Sequence, residues 1–271
     1  MRRKRIFLAL LGAVGLGLLA LFNYFAPIQL PSLSVWTGIV SALVGIICLV
    51  KPARRPGAVM LVTGVALAAA GLLWPAPLLR VENARSKLDE IMPEYHYYEK
   101  HTLRVQAPPE RVAEAIEQTT FDDIKVYYAL MHVRAMAAGA RIQRSKAPPQ
   151  PILKVMRHPS SGFIPLHQDS REIVMGMVGQ PWSSGRRPGV QDLAGFRSFN
   201  ELGSVRIAFN LRITDDGGGW STITTETRIL ALDDAARRTM GRYWRVIYPG
   251  TGMIRRMWLN AIGTKLVGSV A

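Results

Sequence analysis

Five histidines, His96, His101, His132, His158 and His167, are the side chains best suited to bind a metal or move a proton near neutral pH. None falls in an HExxH or HxH spacing, which would aim two ring nitrogens at one ion, so no metal site is expected. His158, His167 and Asp169 lie in a stretch rich in Pro, Ser and Gly. Catalysis there would also need a positioned nucleophile, and solvated loop residues are the expectation. Glu226 and Arg228 are two apart, a spacing that puts an acid and an anion anchor on one strand face. An outward cross-strand ion pair is the simpler expectation, and Asn210 is read as a sheet-surface residue in the same way. No GxSxG, Walker or dinucleotide fingerprint is present, and Gly217-Gly218-Gly219 belongs to a hairpin turn rather than a phosphate cradle. The single cysteine, Cys48, sits in an apolar run, which excludes a disulfide framework and a cysteine zinc site. These residue types predict no catalytic group and no cofactor.

The elements that must position any site divide sharply along the chain. The 271 residues carry a formal charge of +15, yet mean hydropathy is slightly positive. Residues 1–79 hold seven basic side chains and no acidic one, while residues 80–271 hold 27 basic and all 19 acidic groups. Within the second part, 80–234 is nearly neutral and 235–271 has seven basic groups without an acid. Such a composition argues against intrinsic disorder, a coiled coil and a small disulfide-stapled scaffold.

Uncharged runs at 6–26, 34–50 and 57–79 are each near the length that crosses the hydrocarbon core as a helix, which predicts three spans. A cleaved signal peptide is the rival for the first run, but that run is long and no small-x-small cleavage site follows it. Arg2, Arg3, Lys4 and Arg5 precede the first run, and Lys51, Arg54 and Arg55 separate the second from the third. The positive-inside rule then puts the N-terminus in the cytoplasm and everything after Leu79 outside it, for a multi-pass protein of the inner membrane. No Asp, Glu, Lys, Arg or His interrupts a run, so a proton or ion pathway has no visible machinery. Gly64 and Ala68 make a small-xxx-small face, read as packing among the spans.

After a connector at 80–94, residues 95–271 read as one α+β domain. Alternation predicts strands at 95–106, 171–179, 205–214 and 220–231, with a short strand near Phe163 in the loop-rich 145–170 segment. Helices are predicted from Ala107-Pro108-Pro109-Glu110, over 122–140, and from Asp233 or Asp234 to Tyr248, where Pro249-Gly250 interrupts before a last helix over 253–267. Strand and helix periodicity turn Met175, Met177, Phe209, Leu211, Thr225, Thr227, Trp244 and Trp258 inward. Adaptable Met and flat aromatics suit an irregular apolar ligand and an ordinary core equally.

The order of elements is that of a helix-grip fold, a curved antiparallel sheet around a long C-terminal helix. Pro93-Glu94-Tyr95 leading to His101-Thr102-Leu103-Arg104-Val105 and Ala107-Pro108-Pro109-Glu110-Arg111-Val112 resembles the opening of the START-like SRPBCC superfamily. Arg171-Glu172-Ile173-Val174-Met175-Gly176, Thr225-Glu226-Thr227-Arg228-Ile229 and Pro249-Gly250-Thr251-Gly252 with Ile254-Arg255-Arg256 resemble a bacterial branch of it, over roughly 93–268. The resemblance implies a cavity between sheet and helix that holds a lipid, sterol or polyketide, which makes the eight inward residues candidate ligand contacts. It equally covers carriers, cyclases and hydrolases, so fold alone does not choose. The leading expectation is non-catalytic binding of a hydrophobic small molecule or lipid by a membrane-anchored domain. A cyclase or aromatase using the same cavity, which would need converging ionisable groups, and a structural subunit of a membrane complex are the alternatives. Arg237, Arg238, Arg242, Arg245, Arg255 and Arg256 are read as contacts to anionic lipid or as a solvated helix face. Nucleic acid is not expected, because the domain is placed outside the cytoplasm and has no stacking-aromatic motif.

Overall fold

The computed structural model describes residues 29–49, 54–137, 148–183 and 188–268. Largely apolar sequence folds into α1 (Leu30–Leu49) and α2 (Arg54–Leu73), both long and apolar enough to cross a membrane. These correspond to the runs at 34–50 and 57–79, displaced a few residues toward the N-terminus. The span expected at 6–26 lies outside the described residues. Glycines recur every seventh position, at Gly38 and Gly45 on α1 and at Gly57, Gly64 and Gly71 on α2, and bring the two backbones together. A Cβ on Gly38 would lie 2.5 Å from the Ala68 nitrogen and 2.6 Å from the Gly64 oxygen. Gly64 and Ala68 therefore pack against the neighbouring apolar helix.

The remaining elements run from β1 (Leu79–Arg80) and α3 (Lys87–Ile91) to β2 (Glu94–Tyr95), which pairs with β1. Next come β3 (Tyr97–Val105) and α4 (Pro109–Gln118), the latter with Pro in its first turn as read from the sequence. A 3-10 turn at Phe121–Asp123 and a separate helix α5 (Tyr127–Ala137) replace the single helix expected over 122–140. The connection read as loop contains α6 (Ile152–Arg157), whose Ile152, Leu153 and Met156 are buried, before β4 (Ile164–Gln168) and β5 (Glu172–Gly179). Then follow α7 (Leu193–Ser198), the hairpin β6 (Val205–Gly217) and β7 (Trp220–Ala231), and α8 (Asp234–Gly268). The main sheet is wholly antiparallel in the order β3-β7-β6-β5-β4, so the class is α+β with a long C-terminal helix.

Helix α8 does not break where Pro249-Gly250 was expected to interrupt it: 35 residues run with Pro249 inside. Pro249 lacks the N–H that would bond the Arg245 carbonyl. The chain forms two compact units, Met1–Pro75 with Gly241–Thr251 and Ala76–Met240 with Gly252–Ala271. In the first unit, Arg245 donates to the Leu72 carbonyl at 2.6 Å and to the Trp74 carbonyl, at the end of α2 where carbonyls lack helical partners. Trp36 donates to the Val246 carbonyl and Trp244 to the Gln29 side chain.

In the second unit the sheet is covered on both faces. One face packs Met175, Phe209, Leu211, Ile213 and Ile223 against α4, α6 and the Trp258, Leu259, Ile262 and Leu266 ridge of α8. The other packs Val174, Val178, Ala208, Ile164 and Leu166 against Leu88 and Ile91 of α3 and Phe196 of α7.

Candidate functional site

Antiparallel register lines up one row across the α8-facing side of the sheet. Glu99 of β3 is opposite Thr227 of β7, Thr227 is opposite Phe209 of β6, and Phe209 is opposite Met175 of β5. Beside it, His101 is opposite Thr225. Because side chains alternate along a strand, Glu99 and His101 project to the same side, and His101 Nε2 lies 2.7 Å from Glu99 Oε1. Glu99 is 2% exposed and Thr225 1%, so a carboxylate and a hydroxyl sit within an apolar layer. Above them, Trp258 of α8 packs edge-on to Phe209 with ring centroids 6.2 Å apart. Arg255, one turn earlier, lays its guanidinium 4.2 Å from the Phe209 ring centre and 5.5 Å from that of Trp258.

Buried polar atoms are almost always hydrogen-bonded. Here Glu99 Oε2, Thr225 Oγ1 and Trp258 Nε1 are buried and lack a protein partner. Among the described residues no carboxylate ion-pairs with Arg255, which is half-buried against the two rings. Burial pulls its pKa down to about 10, against an upward pull from Glu99, so the group stays cationic at neutral pH. The cluster thus combines unused donors, one unused acceptor oxygen and a desolvated cation on aromatic faces. That chemistry suits a polar group attached to an apolar body.

Six of the eight inward residues, Met175, Phe209, Leu211, Thr225, Thr227 and Trp258, are buried in this unit. Met177 is half-buried one row further along, opposite Ile207. Trp244 belongs to the first unit, where its ring packs against Tyr248, and does not join the cluster. Leu211 and Ile213 also line a groove of about 410 Å³ with Ile116, Ile173, Glu117 and Arg171. Glu99 is not among the residues singled out in the sequence, and Arg255 is read there as an anionic-lipid contact or part of a solvated helix face, not as a member of the inward set. Glu99 stands two before His101, and Arg255 three before Trp258, so the period of each element would have turned them inward.

The opposite face corrects three sequence readings. Glu226, Arg228 and Asn210 are buried instead of facing solvent. Arg228 donates to Glu226 Oε1 and Asp89 Oδ1, both at 2.6 Å, and to the Met92 carbonyl at 3.1 Å, and it lies over the Tyr95 ring. Asn210 donates to Glu172 Oε1 at 2.7 Å, and Glu172 Oε2 accepts the Lys87 N–H at the start of α3. Burial would raise the Asp89 carboxyl, but hydrogen bonds from the Arg85 N–H and Arg228 outweigh it and hold the group below the usual carboxylate range. These groups fasten α3 to the sheet. They are structural.

The remaining candidates disperse. His158 pairs with Ser160, and His167, which lies on β4 and not in the expected loop, pairs with Asp169, each two positions away, so the two histidines do not converge. No group of three or more metal-binding side chains occurs among the described residues. Of the terminal basic residues, Arg238 and Arg242 are exposed, whereas Arg237 bonds Asp234 and the Ala76 carbonyl. Arg256 is half-buried. No protein-family model, curated protein or solved structure matches the chain.

Proposed function

We propose that this chain is a membrane-anchored, START-like SRPBCC domain that holds a hydrophobic small molecule or lipid between its sheet and α8, without chemistry. The observation that carries the reading is the polar set of Glu99, Thr225 and Trp258 inside the otherwise apolar layer of Met175, Phe209 and Leu211. A folded chain that gains nothing from burying such groups would replace them with apolar ones at little cost. A ligand bearing its own polar group gives them a partner. The helix-grip reading is supported by the element order and by the Trp258–Leu266 ridge packed on the sheet. The two apolar helices support an anchor. In this reading the anchor has three spans, the N-terminus is cytoplasmic, the α+β domain is extracytoplasmic, and the exposed Arg238 and Arg242 meet anionic headgroups.

Native mass spectrometry of the full chain extracted in mild detergent, followed by solvent extraction, tests the binding. The expected result is a retained apolar molecule in stoichiometric amount; a chain that carries none and takes up none from added lipid overturns it. A reporter active only in the cytoplasm, fused after Ala271, is expected to be silent.

One observation favours a second reading, a cyclase or aromatase using the same interior. Two ionisable side chains, Glu99 and His101, converge inside the layer at hydrogen-bond distance. A carboxylate-oriented imidazole is a general-base arrangement. Turnover of a bound polyketide that disappears in His101→Phe would favour it.

A further inference from the structure

We infer that the ligand is an anionic amphiphile whose oxyanion, a carboxylate or a phosphate, is held by Arg255 together with the Trp258 indole N–H. This deepens the binding reading above and rests on it. Arg255 and Trp258 are three apart, so both emerge from the same side of α8. Phe209 of the sheet lies beneath both of them. The guanidinium carbon lies 4.2 Å and 5.5 Å from the two ring centres, contacts that leave its N–H donors unspent. Trp258 Nε1, in a residue 2% exposed, has no protein partner.

The acidic group facing this cation does not occupy those donors. Glu99 attracts Arg255 but makes no ion pair with it, and its Oε1 is engaged by His101 at 2.7 Å. A planar guanidinium with its fork open matches an oxyanion with two oxygens, and charge-assisted bonds of this kind are about twice as strong as neutral ones. Desolvation makes the Arg255 charge costly, and an incoming anion relieves that cost. The apolar remainder of the ligand joins the layer of Phe209, Met175 and Leu211, which share that side of the sheet and are 0–3% exposed, by parting it from α8.

Paired ligands that differ only in the head group test this. The full chain in detergent is offered oleate against oleyl alcohol, and dioleoyl phosphatidic acid against dioleoylglycerol, with retention read by native mass spectrometry. At least one anion is expected to bind about tenfold more tightly than its neutral partner. Which anion wins separates a fatty carboxylate from a phospholipid. Arg255→Gln is expected to bring that anion down to its neutral partner's level, Arg255→Lys to fall between, and Trp258→Phe to lower it while leaving the neutral ligand unchanged. Arg197→Gln, an exposed basic residue of α7 on the opposite face of the sheet, is expected to change nothing. Should Arg255→Gln not fold, the Lys and Phe variants carry the comparison. Equal retention of anion and neutral partner by the wild-type chain overturns the anionic assignment and leaves ligand binding standing. Retention of none of the four overturns both.

Discussion

Glu99 and His101 hold each other at 2.7 Å from alternate positions of β3, inside a layer built mainly of apolar side chains. His101 is the partner of a carboxylate 2% exposed, so the two are a unit. His101→Leu alone leaves that carboxylate buried without a donor and is expected to cost about 3 kcal/mol. The double replacement Glu99→Leu with His101→Leu removes donor and acceptor together and is expected to cost clearly less than the single change. A thermodynamic cycle from urea unfolding, followed by tryptophan fluorescence, measures the coupling. Additive costs would show that the pair does not interact. If the cluster serves a ligand, the double variant keeps its fold and loses ligand retention.

The Arg228 network predicts a second contrast. Its guanidinium reaches Asp89 and Glu226 with all three groups largely out of water. Arg228→Met takes the shared cation from two buried carboxylates, leaving Glu226 only Lys100 at 3.6 Å, and is expected to cost roughly 3–5 kcal/mol. Arg157 and Glu117 make an ion pair of similar length, 2.7 Å, but with side chains 29% and 41% exposed. Arg157→Met is expected to cost under about 1 kcal/mol. Thermal unfolding of the two variants side by side checks the ordering, which a reversed result would refute.

These two networks show why the sequence was legible in part. Alternation along 205–214 and 220–231 defined the hairpin and which residues share a side, and the register bears that out from Val205 opposite Ala231 to Asp215 opposite Ser221, before it shifts at Gly217 opposite Trp220. Alternation assigns its polar half to solvent only when one face of the sheet is free. Here α3 and α7 cover the second face with five and six residues, too short to show helical periodicity, and Glu226, Arg228 and Asn210 are buried beneath them. Their signal was the caps, Ser86 before α3 and Asp192 before α7, each accepting a backbone N–H of its helix. Pro249-Gly250 read as a stop because local rules cannot weigh the bonds that Arg245 sends to the end of α2. The candidate site was legible as an apolar face. Its polar members were hidden because Glu99 and Arg255 are residue types that usually seek water.

His96 predicts a pH dependence with a definite sign. Its Nδ1 accepts the Ala231 backbone N–H at 3.2 Å, which requires that nitrogen to be unprotonated. Burial, and then the positive charge of Arg237, lower its pKa below the usual 6.5. The folded chain therefore binds this proton less readily than the unfolded one. The stabilisation is complete above 6.5 and is lost as pH falls through the lower folded value. The difference in unfolding free energy between wild type and His96→Gln is expected to shrink steadily between about pH 7 and 5. A difference that stays flat over that range would show that protonation of His96 is not coupled to folding.

The backbone contact between Gly38 and Gly64 predicts the last result. Each glycine occupies space that the other helix's backbone needs: a Cβ on Gly64 would stand 2.5 Å from the Ala42 nitrogen and 2.7 Å from the Gly38 oxygen. No side-chain rotation relieves a clash with backbone, so Gly64→Leu must push α1 and α2 apart, at about 1–3 kcal/mol as for other overpacked sites. The chain carries its own reporter. Cys48 is the single cysteine and is 5% exposed, with its Cβ facing Gly57 across the same helix pair. Alkylation of Cys48 by a membrane-permeant maleimide is expected to be slow in the native chain and on the order of tenfold faster in Gly64→Leu. Gly189→Ala adds a methyl where nothing lies within 4 Å and is expected to leave the rate unchanged. Equal Cys48 reactivity in native chain and Gly64→Leu would mean that the two helices do not pack through these glycines.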